Sequence, residues 1–269
     1  MPRVSIIVLS LTAALSLLAQ TPAISNSGVV NSVTRDSTQP IAAGSIVSIF
    51  GSQLATTSAS ADSVPLSMSI AGVSVTFDGV PAAVRLVSPT LISVQVPWEV
   101  GSNTTGSSNV VVTQNGVASN TASVAVARFS PGIYAIENLS RSNMARAVNS
   151  DGSLAQPAGV IPGLNSHPAA SGDTLMVLAT GLGPVDSAIG NGAASADVVR
   201  NALTQPQVTV AGIGATVGSA TLSNNFVGAY QVQMTVPGGV GTSDAAPLQL
   251  QIGGATTPVT TTIAVVTPQ

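Results

Sequence analysis

The sequence predicts an all-β chain built as two tandem sandwiches. Three observations carry that prediction. The patterned segments are rich in Val, Thr, Ser, Ile and Ala with Gly and Pro between them, a mix that favours short strands joined by turns. No sustained helical period follows the N-terminal run. One stretch is also written twice. Val75-Thr76-x-x-Gly79-Val80-x-Ala82-x-Val84 is answered by Val208-Thr209-x-x-Gly212-Ile213-x-Ala215-x-Val217, and Val96-Pro97-x-x-Val100-Gly101 by Val236-Pro237-x-x-Val240-Gly241. A β module has been duplicated, with a loop of different length between its two parts.

Composition narrows the function classes. Of 269 residues, 45% are hydrophobic and only 6% are charged. There is no Lys, so all seven basic residues are Arg; with ten acids the net charge is −3. Phosphate binding needs clustered basic side chains, and the sequence has no such run, so nucleic acid is excluded as a partner. The absence of Cys excludes disulfides and thiolate metal sites.

In chain order, Arg3, the apolar run Val4–Leu18 and the small residues that follow read as a secretory signal over 1–23. Cleavage after Ala19 and after Ala23 both fit. The run is shorter than the roughly 20 residues of a membrane-spanning helix, and no later segment is long enough to be one. The expected location is therefore outside the cytoplasm: extracellular, periplasmic or on the cell surface. Residues 24–127 form the first predicted sandwich. Val29, Val30 and Val33 suggest an edge strand. In Gly44–Gly51, Ile46, Ser48 and Phe50 alternate with Val47 and Ile49, as in a strand covered on both faces. A Ser- and Ala-rich loop follows at 52–69. Val73–Phe77 and Ala83–Val87 form a hairpin about Asp78-Gly79. Leu91–Val96 comes next, then Asn109–Thr113 and Thr121–Ala127 about Asn115-Gly116. About seven strands in about a hundred residues is the count of an Ig-like sandwich.

Residues 128–170 are rich in Pro, Gly and Ala and too apolar for a floppy linker, so they read as an ordered connection. Residues 171–269 repeat the sandwich. Gly172–Gly183 corresponds to Gly44–Gly51, 184–205 echoes the loop at 52–69, and five further strands run from Gln207 to Val266.

The set GSIVSIFGSQL, Gly79-Val80-x-Ala82, Leu91–Glu99, PGIY, NSDGS and ATGLGP resembles the Solibacter-type uncharacterised C-terminal domain, found on many exported acidobacterial proteins. Its halves look like IPT/TIG modules of the Ig-like fold. The resemblance covers residues 28–268. It implies a tandem of IPT/TIG-type β-sandwiches and an exported location. It implies no activity and no site residues.

Candidate chemistry is sparse. His167, the sole histidine, would have to serve any Ser–His–Asp triad, yet it sits in a Pro- and Gly-rich stretch without a nucleophile elbow. Asp151-Gly152 and Asp173 offer fewer carboxylates than calcium prefers and read as turns. Asp62, Asp78, Glu99, Glu137 and Asp186 lie in or beside turns, and nothing in the sequence pairs them across a cleft as glycoside hydrolysis requires. Tyr134 and Tyr230 read as strand residues, and Arg128, Arg141 and Arg146 as solvated or pairing between modules. No cofactor and no metal is expected. Trp98 and Glu99 are the candidate binding residues. An exposed Trp beside an acid would stack on a sugar or anchor an interface. Packing between the modules is the other reading, since Gly238-Gly239 replaces the pair in the second copy. The expected function is an exported, non-enzymatic structural or adhesive module that binds a polysaccharide or a cell-surface protein. A carbohydrate-active enzyme and a subunit assembling edge to edge are the alternatives.

Overall fold

The computed structural model describes residues 21–101, 106–136, 143–258 and 260–267. Most of the signal segment, together with Glu137 and Arg141, lies outside that set. Every regular element among the described residues is a strand.

In the first half, one sheet has the order Ala23–Asn31, Ile46–Ser52, Leu91–Gln95, Ala83–Val87, Ala59–Ser60. The facing sheet has the order Val117–Ala118, Gly106–Gln114, Val73–Phe77, Ser69–Ile70, and Ala122–Val126 also pairs with Gly106–Gln114. Side chains alternate across a pleated strand. Val47, Ile49, Ile92 and Val94 from the first sheet therefore meet Val73, Val75, Phe77, Val110 and Val112 from the second in one core.

The hairpins follow from backbone chemistry. A two-residue turn with the twist of its strands needs positive φ at both positions. Asp78 and Gly79 have φ of 48° and 82°, and Phe77 pairs with Val80 across them. Asn115 and Gly116 repeat this at 48° and 83°. In the second half Ala211 and Gly212 take 50° and 79°, with Val210 opposite Ile213.

The second half repeats the layout, with one instructive difference. After the hairpin, Ile213–Leu222 runs unbroken, pairing first with Gln207–Val210 and then with Tyr230–Thr235, so one strand joins both layers into a continuous sheet. In the first half the same path is cut into Val80–Pro81 and Ala83–Val87. Pro81 stands where Gly214 stands in the second copy, and a proline has no N–H to give to a ladder.

Residues 128–170 pair with the second half. Gly132–Ile133 lies beside Thr180–Ala179, Ala147–Asn149 beside Val177–Leu175, and Ala169–Ala170 runs parallel to Val265–Val266. Ile133, Ala145, Ala147, Ala155 and Ala169 are buried in the second core with Leu175, Val177, Tyr230 and Leu248. The small Ala side chains let these short segments sit close on the sheet. Among the described residues no helix is long and apolar enough to cross a membrane.

Candidate functional site at the joint between the halves

The first sheet has an outer face as well as a core face. Ile46 and Gln95 lie on it and are fully buried, because the second half covers them. The backbone of Gly228 packs against Ile46 and Gly44 closely enough that no side chain fits there. Phe50, further along the same strand, is 41% exposed. The alternation in Gly44–Gly51 thus reports a strand covered over part of its outer face only.

The segment 184–205 makes the clasp. Gly192 N–H donates to Gln95 Oε1 at 2.6 Å, and Gly192 carbonyl accepts from Leu66 N–H at 2.8 Å. Asn191 Oδ1 accepts from Trp98 N–H at 2.9 Å, and Asn191 Nδ2 donates to Glu99 Oε2 at 3.0 Å. Arg200 shapes the clasp from within. Its buried guanidinium donates to Ala188 carbonyl, to Ser195 Oγ and to both oxygens of Asp197. That fork holds the Asp197 carboxyl well below its ordinary range, hydrogen bonding to Arg200 being the main cause.

Trp98 sits at this joint. Its ring lies on Gly44 and packs against the core of the second half, and the residue is half-buried. Its Nε1 is shielded from solvent without a hydrogen-bond partner. Glu99 is exposed beside it. The two candidate residues are therefore brought together with Asn191, which ties both to the second half.

Among the described residues, Asp78, Asp186 and Asp151 are occupied by neighbouring groups. Asp78 accepts from Asn109 N–H, and Asp186 accepts from Asn201. Asp151 takes Ser153 N–H and Ser153 Oγ on one oxygen and faces His167 Nε2 at 3.1 Å with the other. These bonds, Ser153 foremost, lower its pKa to about 2. His167 Nδ1 lies 2.9 Å from Pro168 carbonyl, so both ring nitrogens are engaged, and its pKa is raised by that carbonyl and by Asp151. Among the described residues, neither nitrogen faces a hydroxyl nucleophile.

Sequence reasoning missed a second feature of the joint. Arg85 belongs to three cavities at once. One of about 670 Å³ also holds Arg35 and Phe50, one of about 430 Å³ holds Arg35 and Tyr134, and one of about 250 Å³ holds Tyr134, Arg146 and Phe226. Together they form a groove along the joint. Residues from widely separated parts of the chain line it, so no local motif announces it.

Residues 29–127 match the IPT/TIG domain family. No curated protein matches the chain. Solved structures with a similar course include the surface glycan-binding protein PbSGBP-B from Prevotella bryantii, at 13% identity and TM-score 0.25, covering 90% of this chain and 42% of that one. Gamma-CGTase from Alkalophilic bacillus clarkii follows at 12% and 0.28, covering 92% and 27%. Domains 5-6 of the S-layer protein SbsC give 14% and 0.25, covering 92% and 100%. The chain spans less than half the length of the first two. With residues 29–127 matching that family and the same strand course repeated behind them, the chain is an all-β tandem of Ig-like sandwiches.

Proposed function

We propose that this chain is an exported, non-enzymatic structural or adhesive module, whose two sandwiches act as one rigid body and bind a polysaccharide or surface partner. The observation that carries this reading is the clasp. Asn191 and Gly192 reach from one half to Gln95, Trp98 and Glu99 of the other, and a buried, hydrogen-bonded joint fixes orientation where a linker would leave two domains free. On this reading the segment 128–170 belongs to the second unit. Trp98 and Glu99 serve binding indirectly, by holding the halves in register. The resemblance to the Solibacter-type domain accords with export.

A glycosidase needs one carboxylic acid kept protonated by a raised pKa. Asp36, Asp78, Asp151, Asp186 and Asp197 are all held low by hydrogen bonds, which unsuits these five for that role. The test is co-sedimentation of the purified protein with cell-envelope fractions and insoluble polysaccharides, with reducing-sugar release assayed in parallel. Saturable binding without sugar release is expected. Release of reducing ends, or no retention by any fraction, overturns the reading.

A further inference from the structure

We propose that the groove along the joint is a binding site for an anionic polysaccharide, with Arg85 at its centre. The inference rests on the adhesive reading above and names its ligand class and its site. Arg35, Arg85 and Arg146 line the groove, and among the described residues none of the three has a carboxylate within ion-pair distance or a hydrogen-bond acceptor for its guanidinium. Arg200 shows what this chain does with a guanidinium meant for structure: it is buried and makes four hydrogen bonds, two of them to Asp197. In a chain with seven basic residues and a net charge of −3, three unpaired ones on one groove make a local positive site.

The backbone aims these side chains. Arg85 is the extra residue of a β-bulge: Val84 pairs with Val94 and Leu86 with Ser93. A bulge turns its side chain out of the regular alternation. The second copy has its bulge at the matching place, between Val217 and Ser219, and carries Gly218 there. The fold therefore keeps the bulge without needing an arginine in it. Tyr134, Arg146 and Leu178 are fastened by mutual backbone bonds, Tyr134 N–H to Leu178 carbonyl, Arg146 N–H to Tyr134 carbonyl and Leu178 N–H to Arg146 carbonyl. Arg146 lies over the Phe226 ring, 5.4 Å from its centroid. A guanidinium held over an aromatic ring still has N–H groups to offer a carboxylate or sulfate.

The ligand class follows from what is exposed beside the charges. Phe50 and Phe226 are 41% and 46% exposed, and flat rings next to free guanidinium forks suit sugar rings that carry carboxylate or sulfate groups.

The experiment is affinity electrophoresis and calorimetry of the whole protein against polygalacturonate, dextran sulfate, neutral dextran and polyglutamate. Binding to polygalacturonate or dextran sulfate is expected, the preferred polymer identifying the anion, with at least about tenfold weaker affinity in Arg85→Gln and in Arg146→Gln. Arg128→Gln is the control, since Arg128 lies over Phe129 away from the groove. Circular dichroism checks the folding of each variant. Equal binding of neutral dextran, polyglutamate bound as tightly as the acidic sugars, or unchanged affinity in both groove variants would each overturn the proposal. If envelope binding persists while both groove variants behave as wild type, this site fails and the adhesive reading stands. If no fraction or polymer is retained, both fail.

Discussion

The indole of Trp98 lies on the bare backbone of Gly44, so that a methyl group on Gly44 would run into Cη2, Cζ2 and Cζ3 of the ring. Gly44 also holds φ of 73°, which side chains rarely adopt. Its counterpart Gly172 has φ of 92° and open space where a methyl group would go, and Gly238 stands there in place of the Trp. The duplication thus supplies its own control. Gly172→Ala is expected to cost about 1–2 kcal/mol, the backbone term alone. Gly44→Ala is expected to cost about 1–3 kcal/mol more through overpacking. Urea unfolding of both variants measures the difference, and Trp98 emission should shift in Gly44→Ala only. Equal losses would mean the indole yields without cost.

Asn191 makes a separable prediction about the clasp. It accepts from the Trp98 backbone and donates to Glu99. Asn191→Ala removes both bonds and is expected to cost about 1–2 kcal/mol, with partial exposure of the indole. Asn191→Asp keeps the acceptor but sets a second carboxylate beside Glu99. Its stability relative to Asn191→Ala should fall as pH rises through the carboxylate range, because like charges disfavour ionisation. A pH series of urea midpoints reads this, and parallel curves for the two variants would reject the clasp's geometry.

The pair His167 and Asp151 gives the pH dependence. The folded His167 pKa is raised, so its contribution is complete below the unfolded value near 6.5 and is lost as pH rises through the folded value. The Asp151 pKa is lowered from 3.8 to about 2, so its contribution is complete above 3.8 and is lost as pH falls towards 2. The pair is therefore fully formed between about pH 4 and 6.5. Both side chains are about half exposed, at 48% and 58%, so the effect should be small and local. Hydrogen exchange at Ser153 in wild type and His167→Gln is the sensitive measure. Extra protection in wild type near pH 5 that fades on the alkaline side is expected; a difference that grows with pH would contradict the pairing.

How far the sequence reaches depends on the distance over which a feature is specified. Asp78-Gly79 and Asn115-Gly116 are legible because the demand for positive φ is met within two residues. The core faces are legible because the period of two is local. Trp98 was half legible: its replacement by Gly238 pointed towards the joint, but an exposed Trp beside Glu99 fitted the same letters. The clasp was not legible, because Asn191 and Gly192 resemble any loop residues until Gln95 and Leu66 are placed opposite them. Nor was the groove. Arg35, Arg85 and Arg146 are isolated charges in sequence; the fold of the first half sets Arg35 beside Arg85, and only the packing of the second half brings Arg146 to them.

Ala211 marks where the second copy departs from the chemistry its own turn requires. The first copy uses Asp78 at φ of 48°, and Ala211 takes 50° at the same place in the second hairpin. An L-residue without a polar side chain is strained there by about 1–2 kcal/mol, whereas Asn and Asp relieve part of that cost by local hydrogen bonding. The Ala211 backbone N–H is already bonded to Pro247 carbonyl at 2.7 Å, and that bond does not involve the side chain. Ala211→Asn should therefore stabilise the protein by about 0.5–1 kcal/mol. The converse change, Asp78→Ala, should cost more than the turn term alone, because Asp78 also accepts Asn109 N–H at 2.9 Å and so ties the turn to the neighbouring strand. Thermal unfolding of the two variants gives the comparison. If Ala211→Asn lowers the midpoint, the turn in the second copy is held by its neighbours tightly enough that local preference no longer decides it.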